Sequence, residues 1–231
     1  MKRRTTELGG MQLFNMRHVT TTANLNAPGM FDVGDPKPLG WALQEQGIRV
    51  GQWARAELGL GLVAVVHGTS TRHVRTAQAF VEGYEGCTAP HSVQLIEDAR
   101  NNERQWAPEV QGRSKKEIFA LPEVEDEILR VGYYDATIFG GETVRQVADR
   151  TEQMYQEYAC RYTGVGRFVV FVQSGQTTIA LPAVWQNKSR EEFLRAKPGN
   201  GSFAPVNQFD PHIRTPLITP PQLQPGSSPF L

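Results

Sequence analysis

Three short apolar runs in this chain are each followed, after a turn or loop, by a stretch with helical periodicity. The runs are Met11–Met16, Leu62–Val66 and Arg167–Val172, and each has the length of a buried strand. Strands that alternate with helices are typical of a mostly parallel sheet covered by helices. The pattern therefore predicts an α/β fold, a three-layer α/β/α sandwich with a mostly parallel central sheet. Val93–Ile96 is a further candidate strand.

Apolar residues that recur every three or four positions predict four helices. The predicted helices cover Leu39–Leu58, Val74–Tyr84, Glu142–Tyr162 and Gly175–Trp185. The polar stretch between Asp98 and Ile138 predicts mixed helix and loop, and its Ser-Lys-Lys-Glu sequence at 114–117 is typical of a capping box.

One domain accounts for most of the chain. The 231 residues of the chain fit a single core with appendages, because single cores seldom exceed about 250 residues. We expect an N-terminal extension over residues 1–10, the α/β domain over residues 11–206 and a Pro-rich C-terminal tail over residues 207–231. Seven prolines follow Ala204, so a regular helix or a central strand is not expected there.

The charge balance and the cysteine count limit the partners that we expect. Lys plus Arg and Asp plus Glu each number 24, which excludes a global attraction to nucleic acid or to an anionic membrane. No apolar run approaches the roughly 20 residues that span a bilayer, and the basic N-terminus is not followed by a signal-peptide pattern. Two cysteines and dispersed histidines indicate neither a disulfide framework nor a metal site. We therefore expect a cytoplasmic protein that needs no metal or other cofactor.

Basic and hydroxyl side chains follow each of the three main predicted strands. Arg17 and His18 come after the first strand, His67 and Arg72 after the second, and Ser174 after the last. Ligands of such sheets bind just beyond the C-terminal ends of the strands, so we expect these side chains to converge. Guanidinium groups together with hydroxyl and backbone N–H groups suit an oxyanion such as phosphate. Each residue alone has a simpler explanation, such as a solvated charge or a helix cap.

The order and spacing of these residues resemble the histidine phosphatase superfamily, which includes the cofactor-dependent phosphoglycerate mutases. The family opens with Arg-His after a strand and often has Asn six residues after the His, as in Arg17, His18 and Asn24. Its next block contains an Arg that corresponds to Arg72, and its Asn-Glu-Arg-aromatic block resembles residues 102–106, which include Glu103. Weaker matches extend the resemblance over about residues 11–206; they are Pro38, Leu39, Gln46, Thr76, Ala77, Gly141–Thr143 and Asn200–Ser202.

The resemblance implies a phosphoglycerate mutase-like fold and a phosphomonoester hydrolase that needs no cofactor. His18 would attack phosphorus and form a transient phosphohistidine, because imidazole is both a good nucleophile and a good leaving group near pH 7. Glu103 would act as the general acid and later activate water. The phosphate-binding residues would be Arg17, Asn24, Arg72 and Ser174, and the ligand would be a small phosphorylated molecule.

Two departures from the family pattern leave other functions open. Val19 stands where the family has Gly, and Ser174 stands where it has a second catalytic His. An alignment shifted by one residue would place Gln173 there instead. His67 and Gly175 are further candidates for the same pocket. The alternatives to a phosphatase are a catalytically impaired phospholigand-binding protein and a regulatory or assembly protein of the same fold. An assembly protein would form a homo-oligomer or dock through its Pro-rich tail.

Overall fold

The computed structural model describes residues 7–8, 10–21, 40–86, 93–196 and 198–207. The strands in these ranges are β1 (Glu7–Leu8), β2 (Met11–Arg17), β3 (Leu62–His67), β4 (Gln94–Glu97), β5 (Phe168–Gln173) and β6 (Phe203–Pro205). The α-helices are α1 (Gly40–Leu58), α2 (Thr71–Glu85), α3 (Lys115–Phe119), α4 (Pro122–Val131), α5 (Val144–Arg161), α6 (Gly175–Trp185) and α7 (Arg190–Arg195). Two 3-10 helices, at Ala99–Asn101 and Pro108–Val110, lie between β4 and α3.

The strands form one mixed sheet in the order β1-β2-β5-β3-β4, and β6 also pairs with β2. The central strands β2, β5, β3 and β4 are parallel to one another, whereas β1 and β6 run antiparallel to β2. In the register of the parallel strands, Arg17 lies opposite Gln173 and Val172 lies opposite His67. The ends of β2, β5 and β3 therefore meet at one edge of the sheet.

Each face of the sheet has its own apolar core, because a strand sends alternate side chains to opposite faces. Phe168 and Val170 of β5 pack with Phe80 of α2 in one core. Val169 and Phe171 of the same strand pack in the other core, with residues of α5 and α6. All six residues of β5 are buried, which explains why its sequence is apolar almost throughout. The predicted three-layer α/β/α sandwich with a mostly parallel sheet is confirmed.

The predicted element boundaries differ from the observed ones for a common reason. Each of the four predicted strands ends one residue later than its apolar pattern, because a polar last residue still joins the hydrogen-bond ladder. Helix α2 begins at Thr71, before the predicted start at Val74, since its first turn carries the polar residues Arg72 and His73. A helix does begin at Lys115, and the predicted capping box is present, with Ser114 as the N-cap and Glu117 as its third helical residue.

The sheet includes two residues of the predicted N-terminal extension. Glu7 pairs with Gln12 and Leu8 with Met11, so part of the predicted N-terminal extension belongs to the sheet. A strand of two residues is too short to show a hydrophobic period. Asn24, the loop at 26–38 and the tail from residue 208 lie outside the described residues, and the expectations for them stay predictions. No helix in the described ranges is long and apolar enough to cross a membrane.

Candidate active site

The segment after β2 presents His18 with one ring nitrogen held by the backbone. His18 Nδ1 lies 2.7 Å from the carbonyl oxygen of Val19, so Nδ1 carries the proton that it donates to this acceptor. In the neutral ring, Nε2 then carries the lone pair. The position of Val19 does not require glycine, because its φ is not in the left-handed region. The Val19 N–H donates to Thr76 Oγ1 at 3.1 Å.

The loop that carries His18 is held by residues from distant parts of the chain. Asn200 Nδ2 donates to the carbonyl oxygens of His18 and Val19, at 3.1 and 3.2 Å. Gln46 Nε2 donates to the carbonyl of Asn200 at 2.8 Å, and the Gly201 N–H donates to the carbonyl of Arg17 at 3.1 Å. Gln46 and Asn200, which belong to the weaker sequence matches, thus position the His18 backbone.

The surroundings of His18 favour the neutral form of its ring. The ring is only 4% exposed, and burial lowers its pKa well below the usual value. The neighbouring His73, Arg17 and Arg72 lower this pKa further, while the hydrogen bond to the Val19 carbonyl opposes the shift. A neutral imidazole has a lone pair that is available for nucleophilic attack.

Arg17 lies against the first residue of α6. A Cβ at Gly175 would come within 3.1 Å of Arg17 Nε, so the absence of a side chain there leaves space for the guanidinium group. Arg17 NH1 donates to the carbonyl of Pro198, and its buried Nε has no hydrogen-bond partner among the described residues. Burial lowers the pKa of Arg17, and the negative charge of Glu103 opposes this effect.

Arg72 and Glu103 form an ion pair in the site. Arg72 NH2 donates to Glu103 Oε2 at 2.6 Å, and the two side chains are 6% and 26% exposed. The Arg72 side chain is directed to the sheet edge from the first turn of α2. Glu103 therefore faces the Arg72 guanidinium group.

Buried hydrogen bonds hold the segment that carries Glu103. Asn101 Nδ2 donates to the carbonyls of Val66 and Val172 at 2.8 and 3.0 Å, and so joins this segment to the ends of β3 and β5. Arg150 NH2 donates to the carbonyl of Asn102 at 3.0 Å, and Thr177 Oγ1 donates to the same carbonyl at 3.0 Å. The sequence pattern identified Glu103 but not these supporting residues.

Ser174 is directed into the site and does not cap helix α6 with its side chain. Ser174 Oγ lies 3.4 Å from Glu103 Oε2 and 3.0 Å from His73 Nε2. The side chain makes no capping hydrogen bond to α6. The explanation of Ser174 as a simple cap is therefore not supported.

His73 is a site residue that the sequence analysis missed. It is 0% exposed, and its ring centroid lies 5.6 Å from that of His18. Burial lowers the pKa of His73 well below its usual value, and Arg72 and His67 add to this shift. The one available signal was its position next to Arg72 at the start of a helix.

Two predicted candidates do not join this hydrogen-bonded group. The Gln173 amide oxygen lies 3.2 Å from the Tyr155 hydroxyl, which also lies 2.6 Å from Asn15 Oδ1. These contacts make Gln173 part of a buried polar group between the sheet and α5. His67 Nδ1 donates to the carbonyl of Gly68 at 2.9 Å. Its influence on the site is to lower the pKa of His73.

An open pocket of about 470 Å³ lies beside the Arg72–Glu103 pair. Its lining includes Thr69, Gln105 and Trp106. The Arg104 guanidinium carbon lies 4.2 Å from the centre of a Trp106 ring, and burial lowers the pKa of Arg104 to about 10. In the described ranges, no three His, Cys, Asp or Glu side chains cluster as metal ligands.

A family model agrees with this arrangement. The model of the histidine phosphatase superfamily (branch 1) matches residues 13–214. The chain belongs to this superfamily. The resemblance inferred from the Arg17–His18, Arg72 and Glu103 blocks is thereby confirmed at the level of the family. No curated protein sequence matches the chain.

Several solved structures share the fold. A mycobacterial glucosyl-3-phosphoglycerate phosphatase has 21% sequence identity, with 83% of this chain and 88% of that chain covered and a TM-score of 0.62. Bacillus stearothermophilus YhfR has 20% identity, with coverage of 84% and 89% and a TM-score of 0.63. A variant of phosphoserine phosphatase from Entamoeba histolytica has 12% identity, with coverage of 84% and 88% and a TM-score of 0.63.

Proposed function

We propose that the protein is a phosphomonoester hydrolase that acts through a phosphohistidine on His18. The observation that carries this proposal is a buried His18, with Nδ1 bonded to the Val19 carbonyl, next to Arg17 and close to the Arg72–Glu103 ion pair. A nucleophile, two cations and a carboxyl group are the parts that phosphoryl transfer needs. Membership in the superfamily and the names of the two neighbours called phosphatases support the same class of reaction.

Substrate binding would exchange one partner of Arg72 for another. The phosphate group would take the place of the Glu103 carboxylate at Arg72, and Arg17 Nε would gain a hydrogen-bond partner. Both guanidinium groups would then face nonbridging oxygens, where charge must be stabilised during transfer. The leaving group of the ester would extend into the pocket lined by Trp106. The substrate is accordingly a small phosphorylated molecule.

The reaction would proceed in two steps with His18 as the carrier. His18 Nε2 donates its electron pair to phosphorus, and the bond from phosphorus to the ester oxygen breaks as Glu103 transfers a proton to the leaving alkoxide. A water molecule then attacks the phosphohistidine and gives a proton to the Glu103 carboxylate. The N–P bond breaks, its electron pair returns to Nε2, and inorganic phosphate is released. The first step requires a Glu103 that carries the proton it transfers, and the water of the second step restores this proton.

Phosphate release from a small phosphomonoester tests the proposal. His18→Ala is expected to lower kcat by about 10³-fold or more, because the nucleophile is removed. Arg72→Ala is expected to lower kcat/KM by about 10²–10³-fold through the lost charge stabilisation, whereas Arg75→Ala, on the exposed side of the same helix, should change little. Trapping should yield an acid-labile phosphoenzyme in the wild type only. Equal turnover by the wild type and His18→Ala would contradict the covalent mechanism.

A second candidate is a phospholigand-binding protein without turnover, favoured by the presence of Ser174 at the position of the second family histidine. Such a protein would bind inorganic phosphate at Arg17 and Arg72 and would be stabilised against thermal unfolding by it. Stabilisation by phosphate without any release from phosphomonoesters would favour this candidate. Efficient, His18-dependent turnover would exclude it.

A further inference from the structure

A buried histidine that the two-step reaction does not use lies beside the nucleophile. The His73 ring is 0% exposed and has its centroid 5.6 Å from that of His18. His73 Nε2 lies 3.0 Å from Ser174 Oγ, while its buried Nδ1 has no hydrogen-bond partner among the described residues. Burial of a polar ring is unfavourable unless hydrogen bonds compensate for the lost water. The bond to Ser174 is the one hydrogen bond of the His73 ring among the described residues.

The charge of Glu103 decides the direction of the hydrogen bonds. Glu103 is paired with Arg72 at 2.6 Å, and an ionised carboxylate only accepts hydrogen bonds. The Ser174 hydroxyl, 3.4 Å from Glu103 Oε2, must therefore donate its proton to Glu103. Its oxygen is then left to accept the Nε2–H of a neutral His73. The result is a directed chain of donors from His73 through Ser174 to Glu103.

We propose that His73 is a positioning residue that acts through Ser174. The bond from His73 Nε2–H occupies one lone pair of Ser174 Oγ and so limits the directions in which the hydroxyl proton can point. That proton is aimed at Glu103 in the free site and at a phosphoryl oxygen once phosphate has displaced Glu103 from Arg72. His73 and Ser174 together thus supply one oriented donor, which a lone serine with a freely rotating hydroxyl would supply less well. The inference rests on the proposed function for its catalytic readout.

Gly68, the residue directly after β3, leaves room for the His73 ring because it has no side chain. A Cβ at Gly68 would lie 2.4 Å from His73 Nδ1 and 2.4 Å from Asn102 Oδ1. Any side chain at residue 68 would therefore displace the His73 ring or the segment that leads to Glu103. This packing also explains why Nδ1 is shielded while Nε2 faces Ser174.

A double-mutant cycle tests whether His73 acts through Ser174. His73→Ala and Ser174→Ala are each expected to lower kcat by about 10- to 100-fold, as the loss of one oriented donor would, with a smaller change in KM. The double variant should be no slower than the slower single variant, within about twofold, because both changes remove the same donor. If the two losses instead multiply in the double variant, His73 does not act through Ser174 and the proposal is wrong.

A conservative variant separates hydrogen bonding from packing. His73→Gln keeps an N–H near the position of Nε2 and should retain kcat within about threefold of the wild type. An equal loss in His73→Gln and His73→Ala would contradict the proposal. Val81→Ala is the matched control for a cavity, since Val81 is buried on the same helix α2 outside the site. It should lower the thermal unfolding temperature and leave kcat unchanged.

A binding measurement keeps this inference separate from the proposed function. The dissociation constant for orthovanadate is measured by calorimetry in the same four proteins of the cycle. If the wild type hydrolyses no phosphomonoester, the proposed function fails, but the coupling between His73 and Ser174 is still read from vanadate affinity. Coupled losses of affinity support the inference, and independent losses overturn it.

Discussion

Replacing Glu103 with glutamine is expected to change anion binding and turnover in opposite directions. In the free site the Glu103 carboxylate lies 2.6 Å from Arg72 NH2 and faces the cation that a phosphate group needs. A phosphate must displace this carboxylate and overcome its negative charge before it binds. The amide of Glu103→Gln still accepts a hydrogen bond but carries no charge, so it competes less strongly with phosphate.

The size of the effect follows from the difference between two kinds of hydrogen bond. A bond to a charged group contributes about 1.5–3 kcal/mol and a neutral bond about 1 kcal/mol. The two values differ by about 0.5–2 kcal/mol. Glu103 is 26% exposed, so solvent screens part of its charge and a net difference of about 0.5–1 kcal/mol is appropriate. Inorganic phosphate should therefore bind about 2- to 5-fold more tightly to Glu103→Gln. The same variant should lose about 10²–10⁴-fold in kcat, because the proposed general acid is removed.

Calorimetric titration with inorganic phosphate and steady-state release from a phosphomonoester measure the two quantities. Glu109→Gln removes the same charge from an exposed position nearby in the sequence and serves as the matched control. Weaker or unchanged phosphate binding by Glu103→Gln would refute the idea that Glu103 and phosphate compete for Arg72. A variant that binds more tightly and keeps its full kcat would refute the general-acid role alone.

Three further predictions concern the support of the site. Gly175→Ala should move the guanidinium group of Arg17 by a few tenths of an ångström and lower kcat/KM about tenfold without loss of thermal stability, because the added Cβ would lie 3.1 Å from Nε. Burial lowers the pKa values of His18 and His73, so the unfolded chain binds more protons than the folded chain as the pH falls below 6.5. The free energy of unfolding in urea should therefore fall by about 1 kcal/mol per histidine between pH 7.5 and 5.5, and His73→Gln should abolish the part that is due to His73. Asn101→Ala should lower the free energy of unfolding in urea by about 1–3 kcal/mol and lower kcat, because two buried carbonyls at the strand ends lose their hydrogen bonds to Asn101. An unchanged free energy of unfolding would show that these bonds are not needed.

The fold was predictable because its signal is local. Strand β5 is apolar almost throughout since helices cover both of its faces, and a periodicity test detects such a pattern without knowledge of the partners. The polar ends of the strands were less visible: Arg17, His67 and Gln173 belong to the hydrogen-bond ladder although their side chains do not continue the apolar pattern. Strand β1, with two residues, left no pattern to detect.

The chemistry of the site was predictable only in part. The Arg17–His18 pair, Arg72 and Glu103 were found because their order resembles a family pattern, and the structure connects Arg72 to Glu103 through an ion pair. The supporting residues Asn101 and Arg150 were not found, because a hydrogen bond to a distant carbonyl leaves no local signal.

The amino-acid sequence by itself determined the α/β architecture and the kinds of side chain that follow each strand, since both depend on residues close together along the chain. Only the tertiary structure decided which of these side chains meet. Ser174 and Gln173 are adjacent, yet Ser174 faces Glu103 while Gln173 faces Tyr155, because direction at a strand end depends on the pleat and on the start of the next helix. His73 reaches Ser174 across 101 positions of sequence for the same reason: the parallel sheet brings the ends of β3 and β5 together, and no pattern within either segment records that contact.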